Sequence, residues 1–350
     1  MQPRTLLGTA ATVALILTAA CSASGGSPAI PSGATQAHRT AAKPPPPCTP
    51  VLWASSLGSN AVYGYTAANT SPCVTLTGPY NGANINAPIA LAIGKSPNRL
   101  YVADLGNDRI DVFTYQGTFV KSWTTALGGQ AYQPWGVCVG GKGWVGVGNR
   151  QFSNTGALGN VEFFHTNTAN NGSATGYASG VLNSDQFCAF DRLGNFFVDG
   201  STSTGQKIAY LARNHVGAVA QSLVDSGLGS GAFWVGMYSR IDSPVDDTLS
   251  VGTSVGNSTT ETIDNWKVSG PANGPLAFAA LASYTLTGYP STTDAVYQLA
   301  PSTGGSSGTV FIADYGASEV LGAPANGGAI AVEESTSGTV GVATRPSGQY

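Results

Sequence analysis

Charge is scarce in this 350-residue chain: Asp, Glu, Lys and Arg make up 9% of it, and the net charge is −3. Such a composition argues against long solvent-exposed helices and against disorder across the bulk of the chain. No basic run occurs outside the extreme N-terminus, so nothing is available to neutralise a row of phosphates, which argues against a nucleic-acid partner. Histidine is rarer still, with His38, His165 and His215, and there are five glutamates: Glu162, Glu261, Glu319, Glu333 and Glu334. No P-loop, HExxH, CxxC or nucleophile-elbow pattern is found. Beyond the N-terminal segment, no apolar run reaches membrane-spanning length. Glycine is plentiful, with 47 residues, and points to an all-β chain of short strands linked by Gly-rich turns.

The first residues, "MQPRTLLGTAATVALILTAACSAS", have the layout of an export signal. Arg4 supplies the positive start, Leu6 to Ile16 an apolar core, and small residues follow. The ending "LTAAC" resembles a bacterial lipobox, which implies a signal peptide over 1–20 and a lipidated (palmitate-bearing) Cys21 at the mature N-terminus. Residues 21–47 are rich in Ser, Ala, Gly and Pro and read as a tether, stiffened near Pro44 to Pro47. The folded part, 48–350, is therefore expected outside the cytoplasm, held to the membrane of the bacterial cell envelope by that lipid.

The stretch "RLYVADLGNDRIDVFTYQG" (99–117) reads as two strands joined by a polar turn. A lone hairpin cannot bury its apolar face. Similar pairs recur. Apolar strands at 88–93, 134–139, 186–190, 233–238 and 295–300 each precede a second strand, at 100–103, 143–147, 196–199, 248–252 and 309–313. A sixth first strand, 339–344, has no successor, while 51–56, 61–65 and 73–77 stand without a first strand at the other end. Complementary fragments at the two ends imply a closed ring of six four-stranded units, with the last strand innermost in a blade begun by the N-terminus. The longest interval, 236 to 297, holds the irregular "SYTLTGYPSTT", expected on the outside or the rim.

"PIALAIGKSPNRLYVADLGNDRIDVFTYQGTFVKSW" resembles an NHL repeat, and "LGNFFVDGSTSTGQKIAYLARNHVGAV" and "TVFIADYGASEV" resemble it more loosely. The resemblance implies a six-bladed β-propeller. It implies no reaction, because propellers of this type include scaffolds, binders, lyases and hydrolases.

On such a fold the segments leading into the innermost strands share a face with the turns inside each hairpin, and by analogy ligands bind there. Asn86, Gln133, Asp185 and Asp294 lead into innermost strands, while Asp104, Asn149, Asp199 and Asp314 stand at the hairpin turns. Oxygen-bearing residues around an axial channel suit Ca²⁺. For Asp104 and Asp314 the simpler role is to accept backbone N–H bonds in their own turns. Calcium-dependent lactonases of the gluconolactonase type place a Glu ligand near the axis, and no glutamate here begins an innermost strand. Virginiamycin-type lyases use a His on the propeller face; His165 and His215 fall on a third strand and a turn instead.

Export permits disulfides, and Cys48 and Cys73 lie at the same end of the N-terminal blade, placed to clip the tether's end to an outer strand. Cys138 and Cys188 fall on innermost strands of neighbouring blades, either bridged or as buried thiols. Trp53, Trp135, Trp144 and Trp234 lie in or beside inner strands and read as core between blades, with any rim-exposed ring free to stack on sugars or peptides. The expected product is a monomeric, lipid-anchored, non-catalytic module that binds a protein, peptide or carbohydrate. A metal-dependent, lactonase-like hydrolase or lyase is the alternative.

Overall fold

A computed structural model describes residues 48–66, 71–95, 98–127, 130–150, 159–179, 182, 184–191, 193–202, 205–211, 221–223, 232–239, 247–253, 260–270, 276–281, 284–287, 296–301, 309–314, 318–324, 331–335 and 339–344; in several of these strands only the backbone is described. The signal peptide, Cys21, His38, the tether, His215 and Asp294 lie outside the described residues.

The chain is an all-β propeller of antiparallel sheets, and among the described residues six of them run four strands deep from the inside outward. Blade 1 runs Thr339–Thr344, Leu52–Ser56, Ala61–Tyr65, Val74–Leu76. Blade 2 runs Pro88–Lys95, Asn98–Asp104, Arg109–Thr114, Phe119–Thr124. Blade 3 comprises Gln133–Val139, Trp144–Arg150, Asn160–His165 and Gly176–Ser179. Blade 4 comprises Ser184–Phe190, Phe196–Thr202, Gly205–Leu211 and Gln221–Leu223. Blade 5 is Ala232–Ser239, Asp247–Thr253, Thr260–Ser269 and Ala277–Ala280, with Tyr284–Thr287 also paired to its third strand. Blade 6 is Val296–Pro301, Thr309–Asp314, Glu319–Pro324 and Ala331–Ser335. The innermost strands touch their neighbours in sequence, and Thr339–Thr344 touches those of blades 2 and 6. Leu52 pairs with Thr344 and Ala54 with Val342, so both ends of the folded chain share one sheet.

Successive side chains on a strand point to opposite faces, and both faces of a blade are covered here. Leu100 and Val102 join Trp53, Val62 and Phe113 between blades 1 and 2. Tyr101 and Ala103 face the other way, into the layer that includes Trp123, Val147 and Phe164. That is why "LYVA" is apolar without alternation. Trp123 lies flat against Phe164, with centroids 5.1 Å apart. Further layers join blades 3 and 4, blades 4 and 5, and blades 6 and 1.

The outer edge of blade 2 is covered by the segment after the third strand of blade 3. Asn171 donates its backbone N–H to Ser122 O (2.7 Å), and Thr124 N–H donates to Gly172 O (3.2 Å). Lys121 Nζ donates to the carbonyls of Thr166 and Thr168, both at 2.6 Å. Such a strap removes an open edge that would otherwise pair with another chain. Cys48 is bonded to Cys73, and Cys138 to Cys188, with Cα–Cα distances of 6.0 and 5.7 Å.

Candidate binding face

Each innermost strand carries a register irregularity, next to its leading end in blades 2 to 6 and opposite Ser55 and Ser56 in blade 1. A bulge bends a strand and frees backbone groups from the ladder. In blade 2 the irregularity spans Ile89 and Ala90, and the Ile89 carbonyl accepts a hydrogen bond from Ser55 Oγ of blade 1 at 2.8 Å. Blade 1 can approach so closely because residue 341 is glycine: a Cβ there would lie 2.2 Å from Ile89 O.

In blades 1, 2 and 6 the turn before the third strand ends in one geometry. Asn60, Asp108 and Ser318, each the last residue before its strand, adopt positive φ of 51°, 49° and 60°. Asn and Asp tolerate this conformation better than most residues. In blade 2 the turn is locked from below. Asp104 Oδ1 accepts the backbone N–H of Asn86 at 2.8 Å, and its Oδ2 accepts from Asn107 Nδ2 at 2.7 Å. Arg109 Nε stands 3.1 Å from Asp104 Oδ2 and 2.9 Å from Asp111 Oδ1, and Ser122 Oγ donates to Asp111 at 2.5 Å. Both carboxylates are wholly buried. Burial raises both above the ordinary carboxylate range, Asp111 to about 7, against the opposing pull of Arg109.

The hairpin-turn oxygens thus lie inside the molecule and not on its rim. Asp104, Asn149, Asp199 and Asp314 are all buried, and Asp199 Oδ1 accepts the backbone N–H of Phe187 at 2.7 Å. The residues leading into the strands behave differently. Asn86 is exposed, with its Nδ2 turned to Gly106 O at 3.3 Å. Gln133 is half-buried and pairs through its backbone with Arg150, whose guanidinium covers the Trp135 ring at 4.8 Å. Asp185 is placed by its backbone only, opposite Gly200. Asn60 is exposed and accepts the Ala87 N–H at 2.8 Å. Among the described residues no group of three or more His, Cys, Asp or Glu is arranged to hold a metal. His165 sits at the far end of its strand, with Nε2 3.0 Å from Lys142 O.

The buried triad Asp104–Arg109–Asp111 was not anticipated from sequence, although "DLGNDRID" contains its signal: Arg109 and Asp111 share a strand face, and the turn folds Asp104 back onto it. The Trp135–Arg150 stack joins residues too far apart in sequence to suggest each other.

No family profile and no curated protein matches this chain. Solved structures do match. A chain of the nidogen/laminin complex aligns with 11% identity and a TM-score of 0.53, over 83% of this chain and 96% of that one. A Bacteroides caccae protein of unknown function has the same identity and TM-score, over 83% and 97%. Kuenenia stuttgartiensis hydrazine synthase aligns with 12% identity and a TM-score of 0.51, over 78% and 73%. At such identities the likeness is one of fold.

Proposed function

We propose that this chain is an exported, lipid-anchored propeller that binds a neutral polar ligand, a carbohydrate or a peptide segment, on the face formed by its leading segments and hairpin turns, without catalysing a reaction. One observation carries the reading. In blade 2 the acids near this face point inward and are held by Arg109, while outward stand the amides of Asn60 and Asn86, with Gln133 and the Trp135–Arg150 stack nearby in blade 3. Amides both donate and accept, as sugar hydroxyls and peptide groups require, and an aromatic ring supplies an apolar platform.

The test is a glycan and peptide array probed with the full-length protein, followed by affinity measurement on each hit. Trp135→Ala and Asn86→Ala are expected to weaken binding about tenfold or more while the circular dichroism spectrum is kept. Hits unaffected by both variants contradict the placement of the face. Calcium-dependent hydrolysis of simple lactones, lost in Asp185→Ala or Asp294→Ala, contradicts the non-catalytic reading and favours the metal-dependent alternative.

A further inference from the structure

Blade 3 places Asn149, Asn160 and Glu162 at the register positions that hold Asp104, Arg109 and Asp111 in blade 2: Asn149 pairs with Asn160 as Asp104 does with Arg109, and Val147 faces Glu162 as Val102 faces Asp111. All three are essentially inaccessible to solvent. Where blade 2 has a guanidinium between its acids, blade 3 has one amide. Asn149 Nδ2 donates both of its hydrogens, to Asn160 Oδ1 at 2.6 Å and to Glu162 Oε2 at 2.9 Å.

Three atoms of this junction, Asn149 Oδ1, Asn160 Nδ2 and Glu162 Oε1, make no well-aligned hydrogen bond, and the backbone N–H of Ala126 also faces the Glu162 carboxyl. Turning either amide over does not help. A reversed Asn149 would set its oxygen against two acceptors, and a reversed Asn160 would set two donors against each other. Reversing both amides requires a protonated Glu162 and only exchanges the two amide roles, so in either arrangement the unmet groups are an amide acceptor, an amide donor and a carboxyl oxygen. Leaving such groups unpaired in a dry interior is costly.

We propose that Asn149, Asn160 and Glu162 form a binding site for a single internal water molecule. A water can donate to Asn149 Oδ1, accept from Asn160 Nδ2, and either donate to Glu162 Oε1 or, where that carboxyl is protonated, accept from it, and about three such bonds are the norm for buried water. A metal ion at the same point would bond the two oxygens but meet the N–H groups of Asn160 head-on. Burial also raises Glu162 to about 7, which weakens the demand for a counter-cation near neutral pH.

The test is an atomic-resolution crystal structure of the protein, with thermal melts of the full-length chain and two variants. The expected result is one isolated peak within hydrogen-bond distance of all three atoms, without anomalous signal. Glu162→Gln, which preserves a polar partner, is expected to melt within about 2 °C of the parent below neutral pH. Glu162→Met, which strands the amides, is expected to melt on the order of 5 °C lower. An empty junction, a metal-like peak with short contacts near about 2.4 Å, or equal melts for Gln and Met would overturn the proposal.

Discussion

At the scale of single residues, the unusual feature is how many acids the fold keeps out of water. Asp111 and Glu162 occupy matching positions on the third strands of blades 2 and 3, and burial pushes each to about 7 from ordinary values of 3.8 and 4.5. Asp104 and Asp108 move in the same direction, both chiefly by burial. A raised native pKa means that the folded chain keeps a proton which the unfolded chain has released. The associated stability is complete below about pH 4 and is lost as pH rises through about 7. The melting temperature is thus expected to fall between about pH 5 and about pH 8, and the double variant Asp111→Asn, Glu162→Gln should flatten that profile. A wild-type slope retained in the double variant would place the titrating groups elsewhere.

At the scale of elements, the strands were legible because inner strands such as Leu52–Ser56 and Asn98–Asp104 bury both faces, leaving uninterrupted apolar runs bounded by Gly, Asn and Asp. The sequence places the innermost strand of blade 2 at 88–93 and the structure at Pro88–Lys95; for blade 1 both give 339–344. The extra strand Tyr284–Thr287 lies within the irregular interval, but its pairing with Thr260–Ser269 follows from tertiary contact alone. Candidate site residues were harder to read, since a carboxylate at a strand end looks the same in sequence whether it faces solvent or a buried guanidinium. Asp199 faces inward because the bulged innermost strand of blade 4 leaves the Phe187 N–H in need of an acceptor, and Asp104 because the segment leading into blade 2 leaves the Asn86 N–H in the same need. The fit between blades 1 and 2 gives a direct test. Gly341→Ala would bring a Cβ to 2.2 Å from Ile89 O and 2.4 Å from Ser55 Oγ, and a loss of about 1–3 kcal/mol is expected in chemical denaturation. Gly141→Ala, with nothing within 4 Å of the new Cβ, should stay within about 0.5 kcal/mol of the parent. Equal midpoints for the two variants would argue against the close approach of the blades.

At the scale of the whole molecule, the proposal joins an anchored N-terminus to a propeller whose last strand completes its first blade. Anchoring has a simple readout: protein extracted from membranes should begin at Cys21 and carry added acyl mass, and Cys21→Ala should release it in soluble form. A chain beginning elsewhere without acyl mass would remove lipidation from the account. The architecture depends on Thr339–Thr344, which pairs with Leu52–Ser56 and packs against the innermost strands of blades 2 and 6. Its loss would expose three blades at once and leave their edges open to other chains. The most direct measurement is therefore the thermal unfolding of the full-length protein beside a chain lacking residues 339–350. The account predicts that the truncated chain aggregates or shows no cooperative transition near the parent's. Reversible melting at the parent's midpoint would contradict it.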